Sequence, residues 1–494
     1  MQPDAVLNGY EPHRSQRTVP PVRDDSAWRE TFDRAARENP RFGSGVRHLR
    51  GDVTSALKRV VPHDARVLEV GCGRGDTLAA LPNAVRHGLD SSPVAVDRAR
   101  CDHPALTLFE GDALTFQTDE RYDAIVCDRM VHSTPDIQML LENLGAHLAP
   151  GGRVYLTCYN YLWEPALRVA ERLGLKFPTP ENNWLSESDL VNLFDLADLE
   201  VVKFEDRMLM PAPVPLVSGL VNRFLAPLPV LRSFSVYRLY VLRRRASGRA
   251  PAVIPPKVSV VVPARNEEGN VPNIVARTPM MGRETELIFV EGGSKDGTRA
   301  AIEREMADYK GPLKLSFYTQ TGKGKGDAVR MGFGHATGDL LMILDADLTV
   351  PPEELPKFYD VMVQGKTDYV HGTRLVYPME REAMRFLNKL GNIGFSKLFT
   401  FLLNQPLKDT LCGTKVVWSR DWKRISDNRS YFGDFDPFGD FDLIFGAAKL
   451  NLKILEIPIR YRDRTYGETN ISRFRHGWML LQMSAVAATK LKFV

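Results

Sequence analysis

The chain has 494 residues, a formal net charge of +4, 44% apolar residues and 26% charged ones. This length exceeds one typical core and predicts roughly three domains, while the small net charge gives no support to a nucleic-acid partner. Cys72, Cys101, Cys127, Cys158 and Cys412 form no CxxC pair and no zinc-ligand spacing, which predicts reduced thiols in a cytoplasmic protein. The opening MQPDAVLNGYEPHRSQ has no apolar signal core, and no uncharged run reaches the ~18–20 residues of a spanning helix.

Residues 1–45, rich in Pro, Arg and Asp, are expected to form a loose tail with one helix near 26–37. A helix over GVRHLRGDVTSALKRVV follows, then strands at ARVLEVG, AVRHGLD, LTLFEGD, YDAIVCD and RVYLTCY, separated by segments of helical period. Such alternation predicts a mostly parallel doubly wound sheet over 46–242, with VVKFEDRMLM and FSVYRLYVLRRR as a closing antiparallel pair. RRRASGRAPAVIPP at 243–256 reads as a linker. Strand text restarts at KVSVVVPARNEE and continues through ELIFVEGG, LKLSFYTQ, LLMILDAD and YVHGTR, a second α/β domain over 257–475. An amphipathic helix at 476–494 ends the chain. The predicted fold class is α/β, with two doubly wound domains.

In VLEVGCGRG at 67–75, Gly71, Gly73 and Gly75 permit a tight strand-to-helix turn that brings backbone N–H groups against a ligand. Asp90 ends the next strand, where a carboxylate can accept from a ribose diol, and Asp112 follows the third, beside a place to read an adenine edge. In their order, EVGCGRG, LD, GDA, YDAIVCD and LAPGGRVYLT resemble the class I S-adenosylmethionine-dependent methyltransferases over about 50–245. The resemblance implies a Rossmann-like fold, with Glu69 and the glycines around the methionine moiety, Asp90 on the ribose and Asp112 on the adenine. An NAD-type dinucleotide site is the rival, but its GxGxxG phasing is not met. His132, after the fourth strand, is a candidate base for a hydroxyl acceptor; its alternative is an ordinary solvated loop histidine.

LMILDADL at 341–348 is an apolar strand ending in Asp345 and Asp347. Carboxylates at i and i+2 face the same side of a strand and can hold a divalent cation against a diphosphate. With PARNEE, EGGSKDGT and GKGKGDAVRMGFGHATGD before it, this series resembles the inverting family 2 glycosyltransferases of GT-A fold. The likeness is to their polyprenyl-phosphate, dolichyl-phosphate mannose synthase-like branch, over about 257–475. It implies that Pro263, Arg265, Glu267, Glu291 and Asp296 line the nucleoside pocket. Lys325 and Arg330 then lie near the diphosphate, and Asp345 and Asp347 bind Mg²⁺ or Mn²⁺. Glu291-Gly292-Gly293-Ser294 stands where DDGS is frequent, and FGDFDLIF stands where the branch often reads FQxE, placing Asp442 near a metal-ligating Gln.

A lipid phosphate is already anionic and needs cations rather than a base; a sugar hydroxyl needs a positioned carboxylate. Arg374, Arg385, Arg464 and Arg473 are the candidates to hold an acceptor phosphate. Asp409, Asp440 and Asp442 are the candidate bases of the rival sugar-hydroxyl reading. Stretches 385–405 and 474–494 suggest peripheral membrane contact, against the alternative of amphipathic helices that cover the sheet. The expected protein is a bifunctional enzyme that takes a nucleotide-sugar donor, a polyprenyl-phosphate or glycan acceptor and S-adenosylmethionine, in cell-surface glycan synthesis. The alternative is that the methyltransferase half is a non-catalytic scaffold; oligomeric state is left open.

Overall fold

Short apolar strands, fully buried along β1 (Val67–Val70), are what a parallel sheet covered on both faces requires. The structure, a computed structural model, describes residues 30, 33, 34, 44–174, 183–245, 254–374, 386–431, 441–459, 466 and 473–494; 44, 386–393, 441, 473–477, 479 and 480 are described as backbone only. The chain divides into two units, 1–245 and 246–494, each built on one seven-stranded sheet.

In the first unit β1, β2 (Arg86–Asp90), β3 (Thr107–Glu110), β4 (Tyr122–Asp128) and β5 (Leu148–Tyr159) are parallel, in the order β3-β2-β1-β4-β5. β7 (Tyr237–Arg244) and β6 (Leu199–Arg207) close the edge as the expected antiparallel pair. The helix Ser44–Val60 buries Val53, Ala56, Leu57 and Val60 at helical spacing against one face. Because β1, β2 and β4 are parallel, their C-terminal ends share one edge, where ligands of open α/β sheets bind.

In the second unit β8 (Val258–Ala264), β9 (Thr285–Glu291), β10 (Lys314–Thr319) and β11 (Leu340–Ile343) are parallel, in the order β10-β9-β8-β11. β13 (Lys415–Trp418) then runs antiparallel between β11 and β12 (Tyr369–Thr373), and β14 (Ile454–Pro458) pairs with β12 in parallel. Neither β13 nor β14 is among the sequence-predicted strands. KVVW runs straight into the helix Ser419–Asp427, and ILEIP is too short to show alternation.

Several expectations shift. Arg243 and Arg244 end β7 rather than opening a linker; 246–253 lie outside the described residues, as does most of 26–37. In the predicted helix over 385–405, observed as Phe386–Leu403, Phe399, Leu402 and Leu403 are buried, and Phe399 stacks on Phe445 at 5.6 Å. Among its described side chains, from 394 on, this helix covers the sheet, the second of the two readings given for it; the side chains of 386–393 lie outside the described residues. The helix Arg473–Ala487 buries Met483 and Ala487 in the same core and exposes Trp478 and Leu481. Among the described residues no helix is long and apolar enough to cross a membrane.

Candidate active sites

At the end of β1 the backbone turns back on β2: Gly71 and Cys72 donate to the Leu89 carbonyl at 2.8 and 3.1 Å. Gly71 has φ 73°, and a Cβ there would lie 2.5 Å from the Met130 sulfur, so both conformation and space require glycine. Gly73 N–H donates to Asp90 Oδ2 at 2.7 Å, and Ser92 N–H donates to Oδ1 at 2.9 Å. Asp90 thus fixes the glycine turn from the end of β2. Asp112 is exposed and accepts from Leu114 N–H at 2.9 Å, a local turn contact.

Glu69 is buried, and its Oε2 has no hydrogen-bond partner. Burial, then the nearby Asp128, push its carboxyl well above the usual range. Burial likewise raises Asp90, against the amides that lower it. Asp128, which ends β4, goes the other way. Burial alone would raise it, but the adjacent Arg129 guanidinium outweighs that, with an ion pair at 2.6 Å. Arg129, at φ 58°, also donates to the Tyr159 hydroxyl at 3.1 Å. Sequence reasoning missed this Asp128–Arg129–Tyr159 group, although an acid closing the fourth strand was its visible signal. An orphaned carboxylate oxygen beside two further carboxylates and a glycine cradle fits a ligand carrying an ammonium and a sulfonium.

His132 does not fit the role of base. It is buried, its Nε2 accepts from Tyr159 N–H at 2.7 Å, and Nδ1 donates to the Asn183 carbonyl at 2.8 Å. Nε2 ties the loop to β5 and Nδ1 ties it to Asn183, so neither the base nor the solvated-loop reading holds.

In the second unit the exits of β8 and β9 are laced together. Asn266 N–H donates to Ser294 Oγ at 3.0 Å, Lys295 N–H to Asn266 Oδ1 at 2.8 Å, and Glu267 N–H to Thr298 Oγ1 at 2.8 Å. Glu291 is buried and receives Ser294 N–H; Asp296 caps Thr298 and receives Glu268 N–H at 3.3 Å. Buried Glu267 receives Asn270 Nδ2 at 2.7 Å. Pro263 lies within β8 and Arg265, beside them, is exposed.

Asp345 and Asp347 follow β11. Lys325 Nζ sits 2.6 Å from Asp345 Oδ1, and Asp347 Oδ1 accepts from Thr349 Oγ1 at 2.7 Å. Burial alone would raise Asp345, but Lys325, then Lys415 and Arg374, hold it below the usual carboxylate range. Gly413 presses on this group: a Cβ there would lie 1.9 Å from Asp345 Oδ2 and 2.5 Å from Lys325 Nζ. Gly413 and the buried Lys415 were not singled out from the sequence, though CGTK carries both.

These hard carboxylate donors fit a divalent cation. Among the described residues no third His, Cys, Asp or Glu completes a cage, so the remaining positions suit phosphate oxygens and water. Asp442 is not that third ligand: its Oδ2 meets Arg429 Nε at 2.8 Å and Arg330 Nη1 at 3.4 Å. Arg330 is thereby drawn to Asp442. Asp409 is fully buried and paired twice with Arg374, at 2.7 and 2.8 Å, and it also receives the Arg374 and Leu411 amides. That arrangement corrects both expectations: Asp409 is sealed from any acceptor, and Arg374 is a buried clamp on the Lys408–Thr414 loop. Asp440, Arg385 and Arg464 lie outside the described residues, as does the side chain of Arg473.

Two α/β sheets, each with its acids and glycines gathered at strand ends, are the frames of group-transfer enzymes. Residues 27–203 match the family described as methyltransferase domain, and residues 259–422 match Glycosyl transferase family 2. The chain is a fusion whose first half belongs to the methyltransferases and whose second half belongs to the family 2 glycosyltransferases. The second half is similar to the undecaprenyl-phosphate 4-deoxy-4-formamido-L-arabinose transferase of Enterobacter sp. (strain 638), 28% identical over 226 residues, 44% of this chain and 64% of that protein. The chain therefore spans less than two thirds of that relative's length. Among solved structures, the Haloferax volcanii complex of the Trm112 methyltransferase activator with a methyltransferase matches 45% of this chain and 99% of that one, at 21% identity and TM-score 0.36. Glucosyl-3-phosphoglycerate synthase from Mycobacterium tuberculosis matches 48% of this chain and 80% of that one, at 18% identity and TM-score 0.36.

Proposed function

We propose that the second half transfers a sugar, with inversion and with a divalent cation, from a nucleotide-sugar to a polyprenyl phosphate. The observation that carries this reading is the commitment of Asp409 and Asp442 to arginines, which leaves no described candidate base for a sugar hydroxyl. A phosphate acceptor needs none. Its oxygen attacks the anomeric carbon while the bond from that carbon to the diphosphate breaks, and the electron pair leaves with the nucleoside diphosphate. Asp345 and Asp347 would hold Mg²⁺ or Mn²⁺, which supplies charge neutralisation for the departing diphosphate. Lys325 adds a cation at the same place, and Glu291, Asp296 and the laced β8 and β9 exits shape the nucleoside pocket. Of the three candidate bases, Asp440 lies outside the described residues, and the sugar-hydroxyl reading rests on it.

The first half is proposed to bind S-adenosylmethionine at the β1, β2 and β4 ends, with Glu69 toward the methionine ammonium, Asp90 toward the ribose and Asp112 toward the adenine. The cofactor supplies an electrophilic methyl group; the chain's part is to orient it and exclude water. The fusion supports a shared route, the building of a methylated cell-surface glycan at the cytoplasmic face of a membrane. The test is a donor screen of the full chain with UDP-, GDP- and dTDP-sugars, Mn²⁺ and undecaprenyl phosphate. Labelled sugar is expected in the lipid fraction. Transfer only to water, or only to a sugar hydroxyl, sinks the acceptor assignment.

A further inference from the structure

We propose that residues 211–234, between β6 and β7, form a docking surface that seats in the interface of an anionic lipid bilayer. Antiparallel neighbours can be joined by a short turn. Here the chain instead makes a long excursion, PAPVPLVSGLVNRFLAPLPVLRSF, and pins its base: Val236 N–H donates to the Met208 carbonyl at 2.7 Å, and Asn222 exchanges hydrogen bonds with Met210 at 2.8 and 2.9 Å. The excursion is an ordered loop.

Two of its turns are unusual in the same way. Val217 N–H donates to the Pro215 carbonyl at 2.7 Å across Leu216, at φ 63° and ψ −43°. Leu231 N–H donates to the Pro229 carbonyl at 2.9 Å across Val230, at φ 70° and ψ −56°. These are γ-turns of the rare, strained hand, and a β-branched valine tolerates that region poorly. Their effect is to throw Leu216 and Val230 outward at 87% and 75% exposure, the two most exposed large apolar side chains among the described residues. Leu220, Phe224 and Phe234 are exposed beside them. An apolar phase that receives these tips removes the cost of holding them in water.

Charge selects the lipid surface over a protein partner. The segment has no acidic residue; its charges are Arg223 and Arg232, and the Arg223 guanidinium lies 5.5 Å from the Phe224 ring centroid. Apolar tips with arginines set among them match acyl chains below anionic headgroups. Tyr161 continues the surface as an exposed aromatic; its helical turn is joined to the loop by Trp163 Nε1, which donates to the Phe234 carbonyl at 2.8 Å. The surface lies on the methyltransferase half and requires no particular acceptor, although the reading above gives it a purpose.

The test is flotation of the full chain with phosphatidylglycerol–phosphatidylethanolamine vesicles that contain no polyprenyl phosphate, with phosphatidylcholine vesicles as control. The wild-type chain is expected to float with the anionic vesicles, less so in high salt. Leu216→Gly with Val230→Gly should lower vesicle affinity at least about tenfold. Glycine relieves both positive-φ turns, so the same variant should melt no lower than wild type, and the loss cannot be a folding defect. Arg223→Glu should weaken binding to the anionic vesicles alone. No flotation of the wild type, or equal flotation of the glycine variant, overturns the proposal. So does a concentration-dependent dimer, without lipid, that the glycine variant abolishes. Vesicle binding and sugar transfer are read separately, so either can fail alone.

Discussion

In the first unit Glu69, Asp90 and Asp128 crowd one sheet edge, and burial pushes the first two away from ionisation. In the second, Asp345, Asp409 and Asp442 each meet a lysine or an arginine. The acids therefore mean different things in the two halves. An under-compensated set is complementary to a ligand that brings positive charge with it, as a sulfonium with an ammonium does. Asp345, held below the usual carboxylate range beside Lys325, suits metal and diphosphate chemistry, where cation and anion arrive together.

The sharpest way to break this comparison is Asp347→Ala. If Asp347 is a metal ligand, sugar transfer falls by at least about a hundredfold while S-adenosylmethionine binding to the other half is unchanged. Transfer assays with and without added Mn²⁺, run beside calorimetry with the methyl donor, measure both. Residual transfer near the wild-type rate would remove the metal from the second unit.

Gly413→Ala comes next. The added carbon lands on Asp345 Oδ2 and near Lys325 Nζ, so one of them must move. A displacement on the order of an ångström at a reacting centre can cost about a hundredfold in rate. The expected result is a strong fall in kcat with little change in melting temperature. A large loss of stability with normal kcat in the folded fraction would make Gly413 a packing residue only.

Glu69→Gln probes the first unit. Its unpartnered oxygen and raised pKa predict that a cationic ligand binds the ionised form, so wild-type affinity should strengthen as pH rises above the usual carboxylate range. The glutamine variant should bind about tenfold more weakly and lose this slope. For the ligand-free protein the sign is opposite: a raised carboxyl contributes stability below its unfolded value, and that stability is lost as pH rises. Calorimetry across pH, with unfolding of the free protein, separates the two. A flat wild-type affinity would show that Glu69 does not face the ligand's charge.

Much of this contrast was legible in the text of the chain. VLEVGCGRG and LMILDADL announced buried strands running into ligand turns because their periodicity is local, and the edge pair of the first sheet was readable for the same reason. What could not be read was pairing between distant residues. Asp409 looks like a base in KDTLCGTK and Arg374 looks like a phosphate ligand in HGTR; only the return of the chain to β12 closes them on each other. His132 misled in the same way, since Asn183 is brought to it by chain more than forty positions downstream. Gly413 was silent because a glycine shows its reason only when the atom it would strike is in place.

Glu456 is the exception within the second unit and gives the mildest test. Its carboxylate accepts from Lys408 N–H at 2.8 Å and Asp409 N–H at 3.0 Å; burial pushes it up to about 7 despite those bonds. The stability it contributes is complete below about pH 4.5, its unfolded value, and is lost as pH rises toward 7. Glu456→Gln keeps an oxygen for the two amides and removes the charge. Its melting temperature should therefore match wild type near pH 4.5 and exceed it by a few degrees near pH 8. Sugar transfer should change little, because the Arg374–Asp409 clamp still holds the loop that carries Gly413. If wild type instead gains stability over that interval, Glu456 is kept ionised, as Asp345 is.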